Sequence, residues 1–280
     1  MKRLADTKVQ KINFDHNTVI SVNDIHIGEG HFTVIAGPCA LESEELAIKT
    51  AKAVENSGAN VFRCSLFKPR TSPYTYQGYG LDGVKLLKLL KSETNLLLET
   101  EILSTDHLDA LATQADILRI GSRNMDNYEL LKAVGKINKP VILKRNMSAT
   151  LEEFLLAAEY ILSVGNEKVI LCERGIRTFE TYTRNTLDIL AVPALKELTH
   201  LPVIVDPSHS TGKSSLVSAA SKAALAAGAD GLMIEVHPEP HKSYSDGQQS
   251  IDLPTFDKLM KELNDLANLL GKKTSLSVLH

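Results

Sequence analysis

The 280-residue sequence has no tryptophan, only three cysteines, and no apolar run long enough to cross a membrane. Cys39, Cys64 and Cys172 are odd in number and far apart, so they do not form a disulfide framework and favour a reducing, cytoplasmic compartment. The N-terminal segment MKRLADTKVQKINFDHN lacks the apolar core of a signal peptide. The sequence therefore favours a cytoplasmic protein.

An excess of positive charge is also lacking. The chain has 31 Lys and Arg residues against 34 Asp and Glu, for a formal net charge of −3. Such a chain does not generate the broad positive field that attracts nucleic acids or anionic membranes, so we expect neither as a partner. Any basic binding site must instead be a local cluster of Lys and Arg side chains.

Eight short apolar runs alternate with segments of helical period along the chain. The runs are FTVIAG, NVFRCSLF, NLLLETE, DILRIGS, PVILKRN, KVILCERG, PVIVDPS and GLMIEV. They are continuous rather than alternating, which is typical of strands covered on both faces. Eight strand–helix units predict a parallel (β/α)8 barrel. An open doubly wound sheet is the alternative, disfavoured because no unit is missing and no linker to a second domain is present.

The first 31 residues lie outside the repeated units. The segment KINFDHNTVISVNDIHIGEG predicts a β-hairpin with turns near residues 15–17 and 23–24, and we expect it to cover the bottom of the barrel. We therefore assign residues 1–31 to an N-terminal hairpin extension, residues 32–270 to the catalytic barrel and residues 271–280 to a C-terminal tail.

Basic residues follow the ends of several predicted strands. In a (β/α)8 barrel the active site lies at the carboxyl ends of the strands, so these side chains should face one rim. Their mutual repulsion has to be offset by negative charge, and Arg and Lys suit phosphate and carboxylate groups. The sequence thus predicts a small substrate with more than one anionic group. The six cations are Arg63, Lys68, Arg70, Arg123, Lys144 and Arg174.

A second group has the side chains of a metal site. Cys39, His209 and Glu235 follow the first, seventh and eighth predicted barrel strands, and Asp246 lies in the last loop. The eighth and first strands are neighbours in a closed barrel, so the four side chains could meet there. Their mixture of sulfur, nitrogen and oxygen suits Mn, Fe, Zn or Co. The pattern alone leaves this open, since a buried cysteine often packs as an apolar residue and His209 could contact substrate.

Several segments together resemble a known enzyme family. They are AGPCALES, KPRTSPYTYQGYG, ILKRNMSAT, CERGIRTFETYTRN, DPSHSTG and IEVHPEP with SDGQQS. In this order, over about residues 30–265, they resemble the 3-deoxy-D-arabino-heptulosonate 7-phosphate (DAHP) synthases, type I, beta subgroup. The resemblance implies a (β/α)8 barrel that needs a divalent metal ion and joins phosphoenolpyruvate to erythrose 4-phosphate (EC 2.5.1.54). That reaction opens the shikimate pathway to the aromatic amino acids.

The resemblance also implies roles for individual residues. The implied metal ligands are Cys39, His209, Glu235 and Asp246. Phosphoenolpyruvate would contact Arg63, Lys68, Arg123, Lys144, Arg174 and His209, and the aldose phosphate would contact Arg70, Thr71 and Asp246. Catalytic roles fall to Lys68, His209 and Cys39. Lys68 is expected to act as general acid, with a pKa lowered by burial among cations.

Two alternatives remain beside this assignment. The 3-deoxy-D-manno-octulosonate 8-phosphate synthases, which use arabinose 5-phosphate, share the fold and the GPC segment, but have a KANRSS-like stretch where this chain has KPRTS. A barrel that has lost catalysis and acts as a binding subunit is the other alternative, disfavoured because every implied ligand and cation is present. The resemblance further implies a homotetramer.

The sequence predicts a lack of built-in feedback control. Many relatives carry an added regulatory module, whereas here about 30 residues precede the barrel and KKTSLSVLH follows its last helix. Phenylalanine, tyrosine or prephenate should leave the rate of phosphoenolpyruvate consumption by the isolated chain unchanged. Inhibition by any of the three at modest concentration would contradict this expectation. Control through a separately encoded partner protein stays open.

Overall fold

Eight parallel strands form a closed barrel in the computed structural model, which describes residues 4–70 and 72–274. The barrel strands are β3 (Thr33–Gly37), β4 (Val61–Arg63), β5 (Leu97–Glu101), β6 (Ile117–Ile120), β7 (Val141–Lys144), β8 (Val169–Glu173), β9 (Val203–Val205) and β10 (Gly231–Glu235). Each strand pairs with the next, and β10 also pairs with β3 along five residues. The predicted (β/α)8 barrel is confirmed, and the open-sheet alternative is wrong.

Helices connect successive strands and cover the outside of the barrel. They are α1 (Glu44–Asn56), α2 (Val84–Glu93), α3 (Leu108–Ala112), α4 (Tyr128–Gly135), α5 (Leu151–Ser163), α6 (Ala191–Leu198), α7 (Pro207–Thr211), α8 (Ser214–Ala226) and α9 (Leu253–Leu269). Ser43 is the N-cap of α1, as its position before two glutamates predicts, and its side chain accepts a hydrogen bond from the amide of Leu46. Within the described residues, no helix is both long and apolar enough to cross a bilayer.

Two connections differ from the sequence-based expectation. The helical period of the segment TRNTLDILAVPALKELT predicts a helix from residue 183, but α6 begins at Ala191, so residues 174–190 form a long loop above the barrel. The short helix α7 was not expected. Its signals are in the sequence, since Asp206 caps it, Pro207 occupies its first turn and Gly212 ends it with φ of 67°.

The N-terminal hairpin covers the amino ends of the barrel strands. Its strands β1 (Val19–Val22) and β2 (Ile25–Gly28) pair antiparallel, joined by a turn in which Asn23 has φ of 50°. Ile20 and Ile27 are buried against side chains that fill the barrel interior, among them those of Ile35, Val61, Leu97, Ile117 and Ile142. The prediction that this segment closes the bottom of the barrel is confirmed.

The end of the described chain lies beside the start of the barrel. After α9, Lys273 pairs with His31 and its carbonyl accepts a hydrogen bond of 2.9 Å from the amide of Phe32. The assigned limits of the extension, barrel and tail, including residues 275–280 outside the described part, stay a prediction.

Replacing Ile27 by alanine tests the role of the hairpin. Ile27 is 1% exposed, so Ile27→Ala should lower the free energy of unfolding by about 2–5 kcal/mol, through lost transfer energy and the cavity left behind. Val19→Ala is the matched control, because Val19 is 42% exposed on the same hairpin and its truncation should change stability by no more than about 0.5 kcal/mol. Equal effects in urea denaturation would show that the hairpin does not plug the barrel.

Candidate active site

A cavity of about 330 Å³ opens at the carboxyl ends of the barrel strands. All six predicted cations line it, and Arg119 and Arg184 add to them, against the carboxylates of Glu101 and Asp246. Cys39 and His209 also reach its wall. The strand ends therefore bring together a basic pocket and the predicted metal ligands, as the barrel geometry requires.

The irregular segment after β4 forms one wall of this cavity. Phe67 bridges to Gly78, and the amide of Lys68 donates a hydrogen bond of 2.8 Å to the carbonyl of Gln77. Gly78 has φ of 92°, and a Cβ there would lie 2.1 Å from the carbonyl oxygen of Leu66. Only glycine fits this close return of the chain, which fixes the backbone that presents Lys68.

The predicted aldose contacts are placed only in part. The side chain of Arg70 lines the cavity, and its Nε donates a hydrogen bond of 3.1 Å to Thr75 Oγ1. Thr71, the other predicted contact from this segment, lies outside the described residues. Asp246 also borders the cavity.

One donor atom from each of the four predicted metal ligands lies within 4.8 Å of the others. Cys39 follows β3, His209 lies in α7, Glu235 is the last residue of β10, and Asp246 lies in the loop before α9. Cys39 Sγ is 3.1 Å from Asp246 Oδ2, and His209 Nε2 is 3.4 Å from Glu235 Oε1. A sulfur, an imidazole nitrogen and two carboxylates fit a borderline divalent ion.

Asp206 orients the imidazole of His209. Its Oδ1 accepts a hydrogen bond from the amide of His209, and its Oδ2 lies 2.8 Å from His209 Nδ1. Burial, although opposed by Asp206 and Glu235, lowers the pKa of His209 to about 4, so the ring is neutral near pH 7. Nδ1 then carries the proton that Asp206 accepts, and Nε2 presents its lone pair toward Glu235, as a metal-binding histidine requires.

Lys68 lies among negative groups rather than among cations. Its Nζ is 2.5 Å from Asp246 Oδ2 and also contacts Cys39 Sγ. Burial by itself lowers the pKa of Lys68, but the carboxylates of Glu235 and Asp246 oppose it and that pKa is raised. The expected lowered pKa is therefore wrong, because acidic side chains of the candidate metal site are the nearest charges to this lysine.

The thiol of Cys39 is protonated in this arrangement. Burial, with a further contribution from Glu235, raises the pKa of Cys39 to about 12, although Lys68 and Arg63 oppose the shift. Its Sγ is thus the donor to Asp246. A thiolate at this position needs a strong cation beside it, which a bound metal ion would supply.

The deepest cations are paired with carboxylates or carbonyl groups. Arg63, 1% exposed, donates from NH1 to Glu235 Oε1 at 2.9 Å, and Lys144 pairs with Asp206. Arg174 donates to Asn185 Oδ1 at 2.7 Å and to the carbonyl of His209 at 3.3 Å. Carboxylates thereby neutralise Arg63 and Lys144, whereas the two acceptors of Arg174 are neutral oxygens, which satisfy its N–H groups without neutralising its charge.

Two arginines at the cavity were missing from the sequence-based site. Arg119 donates from Nε to Glu99 at 2.7 Å and from NH1 to Glu101 at 2.8 Å, and its NH2 donates to Ser65 at 2.6 Å. Arg184 donates to Gln249 Oε1 at 2.8 Å and lies 3.4 Å from Asp246. The alternation of inward and outward side chains along β6 indicates that Arg119 lies inside the barrel, whereas Arg184 lies in an irregular loop without such a pattern.

Comparison with known proteins places these features in one family. The model of the "DAHP synthetase I family" matches residues 11–269. The phospho-2-dehydro-3-deoxyheptonate aldolase of Thermotoga maritima is 51% identical over 259 residues, covering 92% of this chain and 77% of the relative. A crystal structure of the Thermotoga maritima DAHP synthase superposes with a TM-score of 0.92 at 49% identity, covering 95% of this chain and 78% of that one.

A second group of relatives is more distant. The 2-dehydro-3-deoxyphosphooctonate aldolase of Syntrophotalea carbinolica is 32% identical over 263 residues, covering 87% of this chain and 94% of the relative. The alternative assignment to octulosonate chemistry is therefore not favoured.

Removing the guanidinium of Arg119 should destabilise the fold. Arg119→Met leaves the carboxylates of Glu99 and Glu101 buried without their cation, which should lower the free energy of unfolding by about 3–5 kcal/mol. Lys52→Met is the control, because the Lys52–Glu93 pair is solvent-exposed and its loss should cost about 0–1 kcal/mol. If both variants unfold at the same urea concentration, the buried network does not stabilise the barrel.

Proposed function

The chain belongs to the DAHP synthetase I family, and we propose that it joins phosphoenolpyruvate to erythrose 4-phosphate to give 3-deoxy-D-arabino-heptulosonate 7-phosphate and phosphate. This is the first step of the shikimate pathway. The observation that carries the proposal is the meeting, at one barrel mouth, of a mixed metal-ligand group and a cavity lined by eight cations. Both substrates are phosphorylated, and one also carries a carboxylate.

Phosphoenolpyruvate is assigned to the cations from β4 and β6–β8. They are Arg63, Lys68, Arg123, Lys144 and Arg174, with His209 beside them. Guanidinium forks match carboxylate and phosphate geometry, and an enclosed site strengthens each charge–charge contact. Their spread around the wall holds the two anionic ends of the substrate and thereby orients the reacting double bond.

Erythrose 4-phosphate is assigned to the outer part of the cavity. Arg70 and Thr71 would hold its phosphate, and Asp246 lies near the place where its aldehyde would be. The loop that carries Arg70 also carries Lys68, so one backbone segment reaches both substrates. This role accounts for the irregular course of the described part of the segment, residues 68–70 and 72–80.

The four-donor group is assigned to a divalent ion. Cys39, His209, Glu235 and Asp246 would hold Mn, Fe, Zn or Co. When bound, such an ion supplies Lewis-acid polarisation of the aldehyde carbonyl. Asp206 keeps the imidazole of His209 in the tautomer that this role needs.

Side chains of the protein account for the other steps of the condensation. Lys68, protonated near pH 7, donates a hydrogen bond to the aldehyde oxygen and acts as general acid while C3 of phosphoenolpyruvate forms a bond to the aldehyde carbon. Water then adds at C2, and phosphate leaves with cleavage of the C2–O bond. The surrounding arginines stabilise the negative charge that develops on the departing phosphate.

We propose further that the chain acts in the cytoplasm. Its cysteines, Cys39, Cys64 and Cys172, are all free thiols, which suits a reducing compartment. We propose a homotetramer from family membership alone. Regulation by a separately encoded partner protein stays an open alternative on the same basis.

Aldose preference tests the reaction. With Mn²⁺ present, the chain should consume phosphoenolpyruvate, followed by its ultraviolet absorbance, with erythrose 4-phosphate and far more slowly with arabinose 5-phosphate. Chelation should abolish turnover and added Mn²⁺ should restore it. Lys68→Met should lower kcat by roughly 10²–10⁴-fold if this residue is the general acid.

Each arm of this experiment can contradict the proposal. A preference for arabinose 5-phosphate would assign octulosonate synthesis instead, and a lack of turnover with either aldose would favour a non-catalytic barrel. Unchanged kcat in Lys68→Met would remove Lys68 from the reaction. Lys49→Met is the matched control, because Lys49 lies outside the cavity on α1 and should leave kcat unchanged.

A further inference from the structure

Glu42 lies where three loops of the barrel mouth meet. It follows Cys39 by three residues in the loop between β3 and α1, and its side chain is 4% exposed. Its carbonyl accepts a hydrogen bond of 2.9 Å from Tyr79 Oη, and the neighbouring carbonyl of Leu41 accepts one from Tyr76 Oη. The Cys39 loop is thereby tied to the loop that carries Lys68.

The carboxylate of Glu42 points to the third loop, between β10 and α9. Its Oε1 accepts hydrogen bonds of 2.7 Å from Ser243 Oγ and 2.7 Å from the amide of Tyr244. Its Oε2 lies 3.3 Å from Nε2 of His237, which is 3% exposed. His237 Nδ1 accepts from the amide of Glu239 at 3.0 Å, so in the neutral ring the proton is on Nε2 and points at Glu42.

The segment held in this way leads directly into Asp246. Asp246 has φ of 55°, in the left-handed region that Asp and Asn adopt more readily than other residues with a side chain. Just before it, Ser243 and Tyr244 are fastened to Glu42. The Asp246 carboxylate, which also pairs with Lys68, thus lies two residues beyond a point where the loop is bonded to Glu42.

We propose that Glu42 is a positioning residue for the candidate metal site, holding the Asp246 loop against the Cys39 loop so that the thiol and the carboxylate face one ion. This inference rests on the proposed metal site, and Glu42 itself is not a ligand. The amide of Tyr244 can only donate to this carboxylate, and Ser243 Oγ and His237 Nε2 lie within donating distance of it, although the Ser243 hydroxyl also lies 2.8 Å from the carbonyl of Ser245. An acceptor-only side chain satisfies them all, whereas an amide of the same size turns an NH₂ group against at least one of them.

Glu42→Gln tests the inference with Mn²⁺ as the probe, by electron paramagnetic resonance of the free ion. We expect the Kd for Mn²⁺ to rise roughly tenfold, as when a group that orients a metal ligand is lost. The Kd of the metal-free protein for phosphoenolpyruvate, from calorimetry, should change far less, since only Lys68 among its proposed cations pairs with Asp246 and the other four lie outside the three loops joined at Glu42. Raising the Mn²⁺ concentration should restore turnover. Glu45→Gln, on the exposed first turn of α1, is the control and should match the wild type.

A second variant covers the case in which Glu42→Gln does not fold. Ser243→Ala removes one of the three donors and should raise the Kd for Mn²⁺ in the same direction by a smaller factor, with faster amide hydrogen exchange in residues 243–246. A wild-type Kd for Mn²⁺ in Glu42→Gln, or an equal loss of phosphoenolpyruvate affinity, would overturn the positioning role. If the wild-type protein binds no Mn²⁺, the metal site itself is wrong, a result visible before any variant is compared.

Discussion

Positive charge buried at the mouth of a closed barrel must be neutralised within the protein, because an unpaired buried ion costs several kcal/mol. The chain meets this condition by pairing: Arg63 with Glu235 and Lys144 with Asp206. The same two carboxylates have second tasks, since Glu235 belongs to the four-donor group and Asp206 orients His209. Charge neutralisation and the candidate chemistry therefore use the same atoms, and a change at one carboxylate affects both.

Most of the fold follows from the sequence because the apolar runs of the strands and the helical period of the segments between them are both clear. The eight apolar runs all correspond to barrel strands, although the strands are shorter than the runs. For example, β4 and β9 each have only three residues. The helical period of TRNTLDILAVPALKELT extends from residue 183, although the helix forms only from Ala191. The structure uses residues 183–190 instead as a loop above the cavity, where Asn185 bonds to Arg174. Tertiary contacts decide the conformation of such segments.

The missed network around Arg119 could have been found from strand alternation. Leu97 and Ile117 point into the barrel, and side chains two residues apart share a face of a strand. Glu99 and Arg119 therefore had to lie inside the barrel, and their opposite charges predict a pair. The hydrogen bonds of Glu42 carried no such signal, because they join loops about 200 residues apart whose course depends on the finished fold.

The order of the strands around the barrel makes the mouth chemically two-sided. The four metal-ligand candidates come from β9, β10 and β3 or the segments after them, which are consecutive in the closed sheet. Arg123, Lys144 and Arg174 come from the ends of β6, β7 and β8, which lead around the barrel from the far wall to the neighbour of β9. Lys68, after β4, reaches the acidic side and pairs with Asp246. An anionic substrate is drawn to these cations, and Arg63 and Lys68 extend the positive charge up to the acidic side, where they pair with Glu235 and Asp246. A carbonyl group, neutral and polarisable, is the kind of group that can approach the acidic side once a cation is bound there. This charge distribution supports the proposed placement of phosphoenolpyruvate on the cations and of the aldehyde beside the metal-ligand candidates.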